Sequence, residues 1–124
     1  MYTILMMDEN PAQWGMLKQM IARSGIKVEL MKPVRDILAL VKIKKPHLIV
    51  LGYLMGDANG GELCSMLKND PSTRHLPVII FSEYDRVFQS LGDYGCNLFL
   101  PKTSLRSNFV SATKKLLSKY YEQL

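Results

Sequence analysis

The chain has 124 residues, enough for one ordinary domain with a real core and too few for a second. Hydrophobic residues make up 48% and charged residues 22%, a globular balance that excludes a disordered chain. The net charge of +5 comes from lysines and arginines spread over several segments, which permits an acidic partner without demanding nucleic acid.

No apolar run approaches the length of a membrane span; Leu48 to Leu51 and Val78 to Phe81, for example, are short. The N-terminus lacks the charged and apolar regions of a signal peptide, so a cytoplasmic protein is expected. Cys64 and Cys96 are too few for a disulfide framework or a zinc site, and read as small apolar residues in a reducing compartment.

In chain order, Tyr2 to Met7 reads as a strand, followed by Asp8-Glu9 and by Asn10-Pro11 as the cap and first position of a helix. Trp14, Leu17, Met20 and Ile21 recur at helical spacing until Gly25 ends the element. Lys27 to Met31 reads as a second strand. Pro33 opens a helical pattern with Val34, Ile37, Leu38 and Val41 on one side, closed by Lys45-Pro46. The continuous apolar run after His47, up to Leu51, is the signature of a strand covered on both faces.

A glycine-rich loop precedes a short helix over Glu62 to Lys68, stopped by Asn69-Asp70-Pro71. Val78 to Phe81 makes the fourth strand, Asp85 to Tyr94 the fourth helix, and Leu98 to Leu100 the fifth strand. Thr103 or Ser104 caps a fifth helix carrying Leu105, Phe109, Ala112, Leu116 and Leu117. Most methionines, including Met6, Met7, Met16, Met20 and Met66, fall at apolar positions and are expected in the core. His47 and His75 stand apart at loop edges and do not suggest a metal site.

Five strands alternating with five helices imply an α/β domain: a five-stranded parallel sheet with helices on both faces, joined by right-handed crossovers. Such sheets carry functional residues at the carboxyl ends of their strands, near the point where strand order reverses. Those ends hold Asp8 and Glu9, Gly52, Ser82 and Glu83, and Lys102. Two adjacent acids, a hydroxyl and a lysine at one sheet edge suit phosphoryl chemistry, in which carboxylates hold magnesium and the other groups meet phosphate oxygens. The missing piece is an acceptor.

Segments along nearly the whole chain carry a resemblance. They are Ile4 to Pro11, Pro46 to Leu51, Met55 with Asn59 to Leu63, Leu76 to Ser82, and Gly95 to Lys102. Their order and spacing resemble a response-regulator receiver domain of the CheY-like, flavodoxin-like type, the two-component module that accepts phosphate from a histidine kinase on an aspartate. The resemblance implies a single receiver-like domain over residues 1–124, as a whole protein or as the N-terminal part of a longer one. It implies metal-binding acids at Asp8 and Glu9, a phosphate-following hydroxyl at Ser82, a salt-bridge lysine at Lys102 and a switch aromatic at Phe99.

The acceptor itself would fall at Gly52, which can neither be phosphorylated nor ligate a metal. Gly56, Glu83 and Thr103 also depart from the family pattern, and Glu83 stands where it could narrow the pocket or pair with Lys102. The expectation is a phosphorylation-independent pseudo-receiver: not an enzyme, with no cofactor beyond weak residual magnesium binding. It would act by protein–protein interaction with signalling partners through the fourth helix, fifth strand and fifth helix.

The resemblance also allows a homodimer through that surface. Lys114, Lys115, Lys119 and Arg106 give the last helix a basic outer side suited to an acidic protein. Two other readings stand beside this one. Asp57 could serve as a substitute acceptor, although its setting between Gly56 and Asn59-Gly60 fits an ordinary turn residue. Nucleic-acid binding is disfavoured, because no aromatic residues are interleaved with the basic ones.

Overall fold

A computed structural model describes residues 1–82, 95–101 and 106–121. Four expectations fall outside the described residues: the helix over Asp85 to Tyr94, Glu83, Lys102, and the Thr103 or Ser104 cap. The described elements are β1 (Thr3–Met7), α1 (Gly15–Ala22), β2 (Lys27–Met31), α2 (Ile37–Lys44), β3 (Leu48–Gly52), β4 (Leu54–Met55) and β5 (Ala58–Asn59). They continue as α3 (Gly60–Asn69), β6 (Val78–Ser82), β7 (Leu98–Pro101) and α4 (Arg106–Tyr121).

Five strands form one parallel sheet in the order β2-β1-β3-β6-β7. The two strands with the least polar sequences, β3 and β6, are buried along their whole length and take inner positions, as a sheet covered on both faces requires. Side chains alternate between the faces with the two-residue period of a strand. Leu5, Met7, Ile49, Leu51, Val78 and Ile80 pack against Ile37 and Val41 of α2 and Leu63 and Leu67 of α3. Ile4, Met6, Leu48, Val50, Ile79 and Phe81 pack against Leu17 and Ile21 of α1 and Phe109 and Leu117 of α4. The α/β reading with helices on both faces is therefore correct.

The boundaries differ in informative ways. Pro11–Trp14 is one turn of 3-10 helix, and α1 proper begins at Gly15; Asn10 makes no side-chain cap bond. The α2 helix opens at Ile37 instead of Pro33, because Asp36 caps it by accepting from the Ala39 amide at 3.0 Å. It ends at Lys45 in the left-handed region, with φ of 49°. The glycine-rich loop contains a small antiparallel ladder of β4 with β5, and α3 starts two residues earlier than Glu62 because Asn59 caps it. Met6 and Met7 are core residues as expected, whereas α1 and α3 turn Met16 and Met66 outward.

One close approach holds the site loop. The Gly60 amide donates to the Tyr53 carbonyl at 2.8 Å, and a Cβ at Gly60 would lie 2.1 Å from the Gly52 carbonyl oxygen. A side chain there would push backbone against backbone. Gly60→Ala is expected to cost at least about 2 kcal/mol in urea unfolding. Gly15, helical at φ of −56° with nothing near its Cβ position, gives the opposite expectation: Gly15→Ala should stabilise by about 0.5–1 kcal/mol.

Two thiols in the α3 layer set the alkaline behaviour. Burial pushes Cys64 up to about 12 and Cys96 up to about 11 from the ordinary 9.0, and burial also raises Tyr121. The unfolded chain therefore releases its thiol protons near pH 9 while the folded chain retains them, so these groups lose stability as pH rises through that window. Burial lowers Lys68, and that single group works in the opposite direction. The urea midpoint should fall between about pH 8 and about pH 10, and fall less in Cys64→Ala. An unchanged midpoint would contradict this account.

Candidate functional site

The strand order reverses between β1 and β3: the chain leaves β1 for β2 on one side and returns for β3 on the other. The carboxyl ends of these two strands flank the crevice expected at such a switch point. Register then fixes the neighbours. Met7 pairs with Leu51, Gly52 with Phe81, and Ser82 with Pro101, which sets Asp8, Gly52 and Ser82 along one edge.

Asp8 is 5% exposed, and both oxygens of its carboxylate accept hydrogen bonds. Oδ1 accepts the Glu9 amide at 2.8 Å, and Oδ2 accepts both the Gln13 side-chain amide and the Trp14 indole N–H. The 3-10 turn after β1 is what brings Gln13 and Trp14 back over Asp8. Trp14 in turn packs its ring 4.4 Å from that of Phe81 and 6.1 Å from that of Phe109. Glu9 is exposed, and its carboxylate lies against Gly56, whose φ of 64° belongs to the tip of the β4–β5 hairpin.

Gly52 ends β3 with its missing side chain directed at this pocket. A Cβ there would stand 3.5 Å from Asp8 Oδ1, 3.4 Å from the Phe81 ring and 3.0 Å from Cγ of Met55. The next residue is tied down on both sides of its peptide unit: the Tyr53 amide donates to Phe81 at 2.8 Å and its carbonyl accepts from Gly60 at 2.8 Å. Ser82 is buried at the end of β6. Phe99 is buried in the α2–α3 layer with its ring 6.1 Å from that of Tyr53, so the expected switch aromatic contacts the residue that follows Gly52.

Asp57 is held apart from this edge. With Gly56 it forms the exposed two-residue tip of the β4–β5 hairpin, beside an open groove of about 580 Å³ that Glu9, Lys32, Arg35 and Glu62 also line. Lys102 and Glu83 lie outside the described residues, as does the pairing expected between them.

A divalent cation such as magnesium takes about six oxygens in close to octahedral order. The described residues do not fit one in this arrangement. Gly52 offers no side-chain oxygen, the Tyr53 carbonyl accepts from Gly60, and Asp8 Oδ2 faces two N–H donors. Among the described residues no group of three or more His, Cys, Asp and Glu side chains could hold a metal ion.

Reading the sequence missed the parts played by Gln13 and Trp14. In the sequence Trp14 reads only as one position of a helical pattern with Leu17, Met20 and Ile21. The available signal was a pair of side-chain N–H groups five and six residues after an acid, at the start of a helix.

Comparison with known proteins agrees with this geometry. The family model for the response regulator receiver domain matches residues 4–114. Among curated proteins, the response regulator MprA of Mycolicibacterium vanbaalenii is 27% identical over 116 residues, covering 92% of this chain and 49% of that protein. The polar-differentiation response regulator DivK of Brucella anthropi is 22% identical over 121 residues, covering 93% of this chain and 95% of that protein. The chain thus spans about half the length of MprA and nearly all of DivK.

Among solved structures, the signal receiver domain of a signal transduction histidine kinase from Syntrophus aciditrophicus superposes with a TM-score of 0.87 at 26% identity, covering 100% of this chain and 96% of that one. The strand order, the acid after β1, the hydroxyl ending β6 and these matches together establish that this chain belongs to the response regulator receiver domain family of two-component signalling.

Proposed function

We propose that this receiver domain signals without accepting phosphate, as a non-enzymatic binding module for other signalling proteins. The observation that carries the reading is Gly52. It ends β3 beside Asp8, at the position where the family motif calls for the phosphate-accepting aspartate, and it has no atom to phosphorylate. Asp8 supports it, since a carboxylate whose Oδ2 already accepts from two N–H donors is a poorer metal ligand.

The surface for partners is the one made by β7, α4 and the segment expected to be helical between residues 85 and 94. Lys114, Lys115 and Lys119 are all exposed on α4, which favours a partner with an acidic face and a binding rate that falls with added salt. The same surface allows pairing of two copies.

Incubation with acetyl phosphate and magnesium, followed by intact mass measurement, tests the reading. The expected result is an unchanged mass. A stoichiometric phosphoryl adduct would refute it, and loss of that adduct in Asp57→Asn would assign the acceptor to the hairpin tip.

A further inference from the structure

The family's acid pocket has lost more than an acceptor. Asp8 is buried, and an ionised carboxylate at such a site must find donors or a cation. Among the described residues its donors are the Glu9 backbone amide on one oxygen, and the Gln13 amide and Trp14 indole N–H on the other. We propose that Gln13 and Trp14 stand in for the cation, so that this pocket is closed to divalent metal independently of the loss at Gly52. The proposal rests on the reading of Gly52 as the acceptor position.

Three observations make the closure effective. Hydrogen bonds to an ionised oxygen are the strong ones, so a metal approaching Oδ2 must first displace two of them. Displacement also works against packing: the Trp14 ring lies 4.4 Å from that of Phe81 and 6.1 Å from that of Phe109, contacts that hold its indole N–H at Asp8. Finally, the ring is anchored at the crevice itself, because Phe81 is the residue paired with Gly52 across β3 and β6. Trp14 is thus a positioning residue for Asp8. Restoring an aspartate at position 52 would supply a second carboxylate without freeing the first.

The chain has one tryptophan, so its fluorescence reports on the pocket directly. Magnesium should leave the fluorescence of the wild-type protein unchanged and shift that of Gly52→Asp only at the high concentrations where it binds. Calorimetric titration with magnesium chloride should show weak binding to Gly52→Asp. Affinity should rise in Gly52→Asp/Gln13→Ala and rise again in Gly52→Asp/Gln13→Ala/Trp14→Phe, the last binding about ten-fold tighter or better than Gly52→Asp alone.

Phenylalanine keeps the ring contacts and removes only the N–H. Should the triple variant fail to fold by circular dichroism, the Gln13→Ala double variant decides, since Gln13 is exposed. Equal affinity in all the variants, or none in any, would overturn the proposal. Its failure is distinguishable from failure of the Gly52 reading, which shows instead as a phosphoryl adduct on the wild-type chain.

Discussion

The central constraint on this molecule is the burial of β3 on both faces and both edges. Every backbone polar group of Leu48–Gly52 must be met by β1 or β6, and every side chain by one of two helical layers. That leaves the strand one place to meet chemistry, its carboxyl end. There the chain needs a residue that can emerge beside Asp8 and pass into a loop whose return, at Gly60, comes within contact of the Gly52 carbonyl. The glycine requirement of this packing falls on position 60; a Cβ at Gly52 would meet only side-chain atoms of Met55, Phe81 and Asp8, at 3.0 to 3.5 Å.

The opposite edge of the sheet is stapled. The Thr3 amide donates to Nδ1 of His47 at 3.0 Å, and the Tyr121 hydroxyl donates to the His47 carbonyl. The His47 ring meets Tyr2 and Tyr121 edge-on at 5.2 and 5.0 Å, so the end of α4 is fastened to the entry of β1 and β3. Nearby, the Lys68 ammonium donates to the carbonyls of Arg74 and Leu76 and to Asn97, whose side chain also accepts from Val78 and contacts the Tyr120 hydroxyl. This network ties α3, β6, β7 and α4 together. The amino edge is thereby fixed by side-chain hydrogen bonds and ring contacts.

A buried carboxylate requires partners, because leaving it unpaired costs more than pairing it gains. In this chain the requirement is met by a tightened first turn that folds Gln13 and Trp14 onto Asp8. Asp8, one of the two acids that resemble a metal site in sequence, is in three dimensions hydrogen-bonded to the turn between β1 and α1, whose Trp14 packs on Phe81 of β6.

The sequence by itself determined the class of fold and the edge on which to look. Alternation of apolar runs with helical patterns forces βα units, and the unbroken apolar runs of β3 and β6 force a sheet covered on both faces. Asp8, Gly52 and Ser82 were legible because strand ends are marked by a change from apolar to polar or small residues, whereas Phe99, inside β7, was singled out only by the family resemblance. Contacts between side chains distant from those ends were not. Whether Asp8 faces a cation or an indole depends on how the turn after β1 closes, and a 3-10 turn differs from an α-helical one by less than composition or periodicity can register. Only the tertiary structure, by placing Trp14 between Phe81 and Phe109, decided that the acid is held by the protein's own donors.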